Sequence, residues 1–392
     1  MMQPASRSGT VREVFSVFLL LGLTSFGGPV AHLGFFRTEF VARRRWLDDA
    51  AYADLVALCQ FLPGPASSQV GIALGKLRAG YLGGIAAFIA FTAPSVLLLL
   101  AFAYGATQLQ GPLADGVLHG LKIAALAVVA QAVWGMAKTL TPDWPRRGLA
   151  RAAAGIALLL PFGLTQLALI AVAALAGYML RAGEPAPRLA FDRTGTGFLA
   201  AFFALLVLLP LLALSGDATA VVAEKFYRTG ALVFGGGHVV LPLLEAELVT
   251  PGLIGEELFL AGYGAAQAVP GPLFSFAAYA GALLTLPPNG IFGALLALGA
   301  IYLPSFLLVF GALPYWETLR ANPRLRGGLD LANAVVVGLL LATLYDPVLL
   351  SAMRSWIDPF WAVAAFAALM IRVPPWLVVA GSAAIGAALS FA

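Results

Sequence analysis

Thirteen apolar stretches follow one another along the chain, each set off from the next by a few polar or charged residues. They lie near residues 14–36, 51–76, 81–106, 113–139, 148–162, 163–181, 197–215, 221–243, 257–284, 289–313, 327–345, 356–371 and 374–391. About 20 apolar residues in a helix match the roughly 30 Å hydrocarbon thickness of a bilayer, and a helix satisfies its own backbone hydrogen bonds there. Composition agrees, with 61% of the 392 residues hydrophobic and 11% charged, against about 25% charged in soluble proteins. So few charges cannot coat a soluble globule. The expected fold is an all-α polytopic membrane protein of roughly 10–13 membrane elements. The polar first ten residues and the lack of a small-residue cleavage site mark the first stretch as retained structure, not a signal peptide.

An internal repeat organises these elements. Phe26-Gly27-Gly28 recurs as Phe234-Gly235-Gly236, and Glu39-Phe40-Val41 as Glu247-Leu248-Val249. Gly120-Leu121-Lys122 returns as Gly328-Leu329-Asp330, Gln60 to Pro65 as Gln267 to Pro272, and Pro94-Ser95 as Pro304-Ser305. The offset stays between 207 and 210 residues. The chain therefore divides into an N-terminal transporter repeat over 1–196, a connecting transmembrane helix and loop over 197–220, and a C-terminal repeat over 221–392. Arg37, Arg43, Arg44, Arg45, Lys76 and Arg78 surround the first set of breaks, whereas residues 229–319 contain no Lys or Arg. The positive-inside rule then orients the halves oppositely, as inverted-topology repeats with broken or re-entrant helices. The N-terminus falls inside and the C-terminus outside, with Lys225 and Arg228 on the wrong side. The net charge of +4 becomes a loop bias, and no nucleic-acid partner is expected.

The breaks carry the chemistry. Pro63 ends a helix, Gly64 permits a turn, Pro65 suits the first turn of a new helix, and Ser67 and Ser68 add hydroxyl donors. Unpaired N–H groups at a helix start attract anions without a fixed charge. The second copy, Pro270-Gly271-Pro272-Leu273-Phe274-Ser275, keeps the turn and one hydroxyl. Opposed helix starts of this kind hold substrate near mid-membrane in secondary transporters; kinking of transmembrane helices by Pro and Gly is the simpler reading. Gly27, Gly28, Gly235 and Gly236 allow backbone to approach either a ligand or another helix. His32 and His238 follow those doublets at different repeat positions, as proton acceptors or as interfacial side chains. Gln60 and Gln267 precede the breaks by one turn, as ligand contacts or as braces. Lys122 and Asp330 occupy equivalent intramembrane positions with opposite charge, for coupling or, for Lys122, for snorkelling. Arg37, Glu39 and Arg43-Arg44-Arg45 form either an antechamber for anions or a topology anchor.

Enzymatic signatures are absent from the sequence. Gly71-Ile72-Ala73-Leu74-Gly75-Lys76 is one residue short of a phosphate loop and is followed by Leu77 in place of Ser or Thr. No HExxH helix or GxSxG elbow occurs. One cysteine, Cys59, rules out an intrachain disulfide or thiolate cluster, and three histidines argue against a multi-histidine metal centre. No cofactor or metal is expected, and transport would draw on a proton or other ion gradient.

Phe26-Gly27-Gly28-Pro29-Val30-Ala31-His32, Arg43-Arg44-Arg45-Trp46-Leu47-Asp48 and the run from Tyr52 through Gln60-Phe61-Leu62-Pro63-Gly64-Pro65-Ala66-Ser67-Ser68 to Gly71 resemble the signature of the chromate ion transporter family. The second half is similar through Phe234 to Pro242 and Gln267 to Pro272, as in the long, two-domain members. The resemblance implies export of chromate across the bacterial inner membrane, and chromate resistance. Chromate, a tetrahedral dianion with acceptor oxygens alone, suits converging N–H and hydroxyl donors. Sulfate shares that shape and charge and is expected to compete. Carriage of another oxyanion, a passive channel and a non-transporting membrane assembly protein are the alternatives. The sequence leaves the oligomeric state open, a homodimer included.

Overall fold

The computed structural model describes residues 9–108, 111–160, 163–181, 192–234, 237–316, 319 and 322–390, and no strand occurs among them. The first half runs α1 (Val11–Thr24), α2 (Gly28–Phe36, continued by a π-helical turn Arg37–Arg43), α3 (Asp49–Phe61), α4 (Ala66–Gln108), α5 (Pro112–Leu140), α6 (Trp144–Leu159) and α7 (Gly163–Leu180). After α8 (Arg193–Ala213) come α9 (Ala218–Leu232), the short α10 (Val240–Leu244) between a 3-10 turn Gly237–Val239 and a π-helical turn Glu245–Val249, and α11 (Glu256–Ala266). A 3-10 turn Leu273–Ser275 leads into α12 (Phe276–Ala282), followed by α13 (Gly290–Ala312), α14 (Pro323–Thr343, with a π-helical turn Leu344–Leu349), α15 (Asp358–Met370) and α16 (Pro375–Leu389).

Local chemistry places the boundaries. Thr10, Asp48, Asp143, Asp192, Asp217 and Asn322 each accept a backbone N–H of the helix they precede, satisfying donors that would otherwise lie unpaired. α4 bends at Ala79 and Gly80, where the helix dihedrals lapse and Gly80 has φ 70°. The 14–36 stretch is therefore two pieces, and 51–76 is the hairpin of α3 with the first arm of α4. α3, at 13 residues, rises only about 20 Å. Among the described residues, five helices are long and apolar enough to cross a membrane, within 66–105, 112–140, 193–213, 290–315 and 323–352. α8 is the most peripheral of these, with Phe203, Val207 and Leu211 all more than half exposed, as a lipid-facing helix requires.

Seven helices, α1 to α7, precede α8 and eight, α9 to α16, follow it among the described residues, and π-helical turns occur at Arg37–Arg43 and at Glu245–Val249. Packing crosses between the halves. α5 lies against α15 and α16, and α14 lies against α6 and α7. These crossings are close because small residues meet there: Gly116 and Gly120 face Gly386 and Ser382, while Gly327 and Gly328 face Gly177 and Ala174. Without side chains the backbones approach within van der Waals range, the main source of helix association in lipid.

Candidate functional site

The four chain breaks are tied to one another across the two halves. The Gly64 N–H donates to the Val233 carbonyl at 2.7 Å, and the Gly271 N–H donates to the Ser25 carbonyl at 3.0 Å. Each Pro-Gly-Pro turn of one half thus caps the interrupted helix of the other. Both glycines are in the left-handed region, Gly64 at φ 124° and Gly271 at φ 101°, where a side chain is strained. A Cβ on Gly64 would stand 2.8 Å from Ser305 Oγ, and one on Gly271 would stand 3.0 Å from Ser95 Oγ. The recurrent Pro-Ser pairs therefore press against the opposite half's turn. The amides of Gly64 and Gly271, expected to face an anion, are instead committed to protein carbonyls. Gly27 and Gly28 take φ 102° and 76° to start α2; Gly235 and Gly236 lie outside the described residues.

Around this junction the polar side chains are buried. His32 is fully buried, with Nε2 3.1 Å from the Ser25 carbonyl and Nδ1 3.5 Å from Ser67 Oγ. A carbonyl only accepts, so Nε2 carries the proton and the Ser67 hydroxyl donates to Nδ1. Ser68 Oγ lies 3.5 Å from the buried Tyr302 hydroxyl. Gln69 Nε2 donates to the Pro63 carbonyl at 2.6 Å and braces the turn. The Ser275 hydroxyl is spent on the Pro272 carbonyl of its own turn. In contrast, Ser25 Oγ, Ser305 Oγ, Gln267 Nε2 and Gln69 Oε1 are buried without a hydrogen-bond partner among the described residues. Three of the four can donate, and buried donors without partners cost on the order of 1–3 kcal/mol each. Ser25, Ser95, Ser305, Gln69 and Tyr302 were not singled out from the sequence. The signal for two of them was the Pro-Ser recurrence, which names no contact.

The remaining expected residues are spread over the molecule. Gln60 is exposed in a cavity of about 360 Å³ that also holds Arg181, Trp316, Arg326, Asp330 and Asn333. His238 Nδ1 meets the Tyr263 hydroxyl at 2.8 Å and shares no hydrogen-bond partner with His32 among the described residues. Arg37 pairs with Asp49 on the exposed surface. The Glu39 carboxylate, largely buried, is held by Arg43 and Arg44. Burial pushes the Glu39 carboxyl up, but hydrogen bonds from Arg44 and Arg43 outweigh it and keep it below the usual carboxylate range. Its repeat equivalent Glu247 is held by Lys225 at 2.9 Å and Arg228 at 2.7 Å, and Glu224 takes a second contact from Arg228. These two basic residues, discordant with the positive-inside rule, are neutralised where they stand.

Lys122 and Asp330 also clamp one half to the other. The buried Lys122 ammonium sits 3.1 Å from Glu257, which also receives Arg354. Asp330 takes Arg146 at 3.1 Å and Arg181 at 2.7 Å. Removing the acid strands a buried cation, which costs about 3–5 kcal/mol in a fully buried pair. Glu257 is 62% exposed, so about half that is expected. Glu257→Gln should therefore lower the unfolding temperature of the purified protein more than Lys122→Met, and the opposite order would remove the clamp role.

The profile of the chromate transporter family matches this chain in two segments, residues 12–178 and 220–387. A chromate transport protein of Cupriavidus metallidurans is 27% identical over 402 residues, covering 96% of this chain and 92% of that protein. One of Pseudomonas aeruginosa is 29% identical over 359 residues, covering 85% and 80%. A probable chromate transport protein of Synechococcus elongatus is 28% identical over 324 residues, covering 81% and 79%. No solved structure matches significantly.

Proposed function

The chain belongs to the chromate transporter family, and from that premise we propose that it is a secondary active exporter of chromate across the bacterial inner membrane, protecting the cell from chromate. The observation that carries the reading is the junction of four helix breaks, lined by buried donors without partners at Ser25, Ser305 and Gln267. A tetrahedral dianion supplies acceptor oxygens for these groups, and no fixed cation needs to hold it. A neutral donor set binds the anion and still releases it. The two halves would be inverted repeats moving about this junction in alternating access. The recurring short motifs, the matched family segments and the uneven placement of basic residues support that arrangement.

The test is chromate uptake into inverted vesicles or proteoliposomes, with and without an imposed proton gradient. A hydrogen bond to a charged acceptor contributes about 1.5–3 kcal/mol, or about tenfold or more in affinity. Ser305→Ala and Gln267→Ala should therefore each slow uptake at low chromate about tenfold while leaving thermal stability unchanged, since neither group has a protein partner to lose. Ser275→Ala, whose hydroxyl is already satisfied, should transport nearly as well as the parent. Parent-like uptake by both of the first two variants would remove the junction as the binding site. Sulfate, of the same charge and shape, would compete for these donors, and excess sulfate should slow chromate uptake.

A further inference from the structure

A small, partly open cavity of about 110 Å³ lies where the ends of α6, α7 and α14 meet the π-helical turn after α10. Gln166, Glu245, Thr343 and Asp346 supply its polar lining. Gln166 is 6% exposed, and its Oε1 is buried with no partner among the described residues. An amide oxygen accepts and never donates, so it calls for a proton donor or a cation in the cavity. No Lys or Arg among the described residues lines it.

Three helices place this cavity on the face opposite the arginine-rich one. α6 begins beside Arg146 and ends at Ala157 and Leu158, which line the cavity; α7 runs back from Gln166 to Arg181. α14 begins at Arg324, Arg326 and Asp330 and ends at Thr343 and Asp346. Its 21 residues span about 30 Å. Arg146 and Arg181 both bind Asp330, so the arginine ends of all three helices are gathered at one face. Their other ends are gathered around the two carboxylates.

Resting on the transport reading above, we infer that the Glu245–Asp346 cavity is the proton-acceptor site that couples chromate export to proton entry. A proton from the outer solution adds to a Glu245 carboxylate oxygen, giving a neutral acid and a donor for the unpartnered amide oxygen. The charged groups facing Glu245 are Asp346 from the end of α14 and Glu256 from the start of α11, and Thr250 Oγ1 approaches at 3.5 Å. Burial, then repulsion from Asp346 and Glu256, pushes the Glu245 carboxyl up to about 7. It is therefore protonated at an acidic outer face and ionised above neutrality. Glu245 follows the half-helix that begins just after the second break. Relief of its repulsion with Asp346 at one end would move the break at the other, and so the substrate junction.

Infrared pH titration of the reconstituted protein, together with chromate flux, tests this. A protonated-carboxyl band titrating near pH 7 is expected in the parent and absent in Glu245→Gln. Flux should rise on external acidification in the parent, and this stimulation should disappear in Glu245→Gln while chromate–chromate exchange persists. Asp346→Asn should keep the band and shift its midpoint downward, because the repulsion that raises it is removed, with exchange intact; an upward shift would overturn the inference. Absence of the band, or full stimulation in Glu245→Gln, would overturn the inference, as would stimulation by a sodium gradient at fixed pH in place of a proton gradient. A parent that moves no chromate would instead defeat the transport reading, and the infrared titration would still decide the acid site.

Discussion

Alanine at Gly64 or at Gly271 is expected to abolish chromate flux and lower the yield of folded protein. Both residues hold φ values, 124° and 101°, that cost a residue with a side chain on the order of 1–3 kcal/mol. The added Cβ would also press on Ser305 Oγ at 2.8 Å or Ser95 Oγ at 3.0 Å, and those serines are buried and cannot swing into solvent. Relaxing the strain would move the turn and break the bond from Gly64 to Val233 or from Gly271 to Ser25. The effect should be similar for the two glycines, because each caps the opposite half. Flux in proteoliposomes and thermal unfolding of the purified variants measure it. Removing the serine in a Gly64→Ala/Ser305→Gly double variant should recover little, since the dihedral strain stays. Near-parental flux in either single variant would mean that the crossed caps are dispensable.

Leucine at Gly120 should be strongly disruptive in the helix-crossing surfaces. A Cβ there meets the Ser382 backbone and lies 3.0 Å from Ala383 Cα. Backbone cannot rotate out of the way, so α5 and α16 must separate, at about 3 kcal/mol or more. This crossing joins the two halves, so the predicted result is loss of the monodisperse species on size exclusion as well as loss of flux. Gly155 provides the contrast. It has open space around its Cβ position inside α6, and alanine there should be neutral or add about 0.5–1 kcal/mol by favouring the helix. Equal effects at Gly120 and Gly155 would show that helix propensity, not close approach, governs both.

Much of the architecture was legible because it depends on local chemistry. Runs of apolar residues and Pro-Gly-Pro turns act within a few residues, so thirteen apolar stretches and the breaks could be read along the chain, while 14–36, 221–243 and 257–284 each proved to hold two helices. The repeat of Phe-Gly-Gly, Gln-x-x-Pro-Gly-Pro and Pro-Ser identified which breaks correspond. The candidate site was legible only in outline. Ser67 and Ser68 are at the junction, but Gln60 opens into another cavity, Ser275 is occupied by its own turn, and the Gly64 and Gly271 amides already have partners. Lys225 and Arg228, which fall on the wrong side of the charge-based topology, have Glu247 and Glu224 beside them as acids.

By itself, then, the sequence determined that this is a helical membrane protein of the chromate transporter family, with short motifs that recur about 208 residues apart. Only the tertiary structure decided that Gly64 and Gly271 bond to Val233 and Ser25, that Lys122 answers Glu257 and Asp330 answers Arg146 and Arg181, and that Glu245 and Asp346 line one cavity away from those arginines. The reason is geometric. A helix boundary depends on a few neighbouring residues, whereas these pairings join groups more than 100 residues apart and depend on how whole helices cross, which the glycine contacts set.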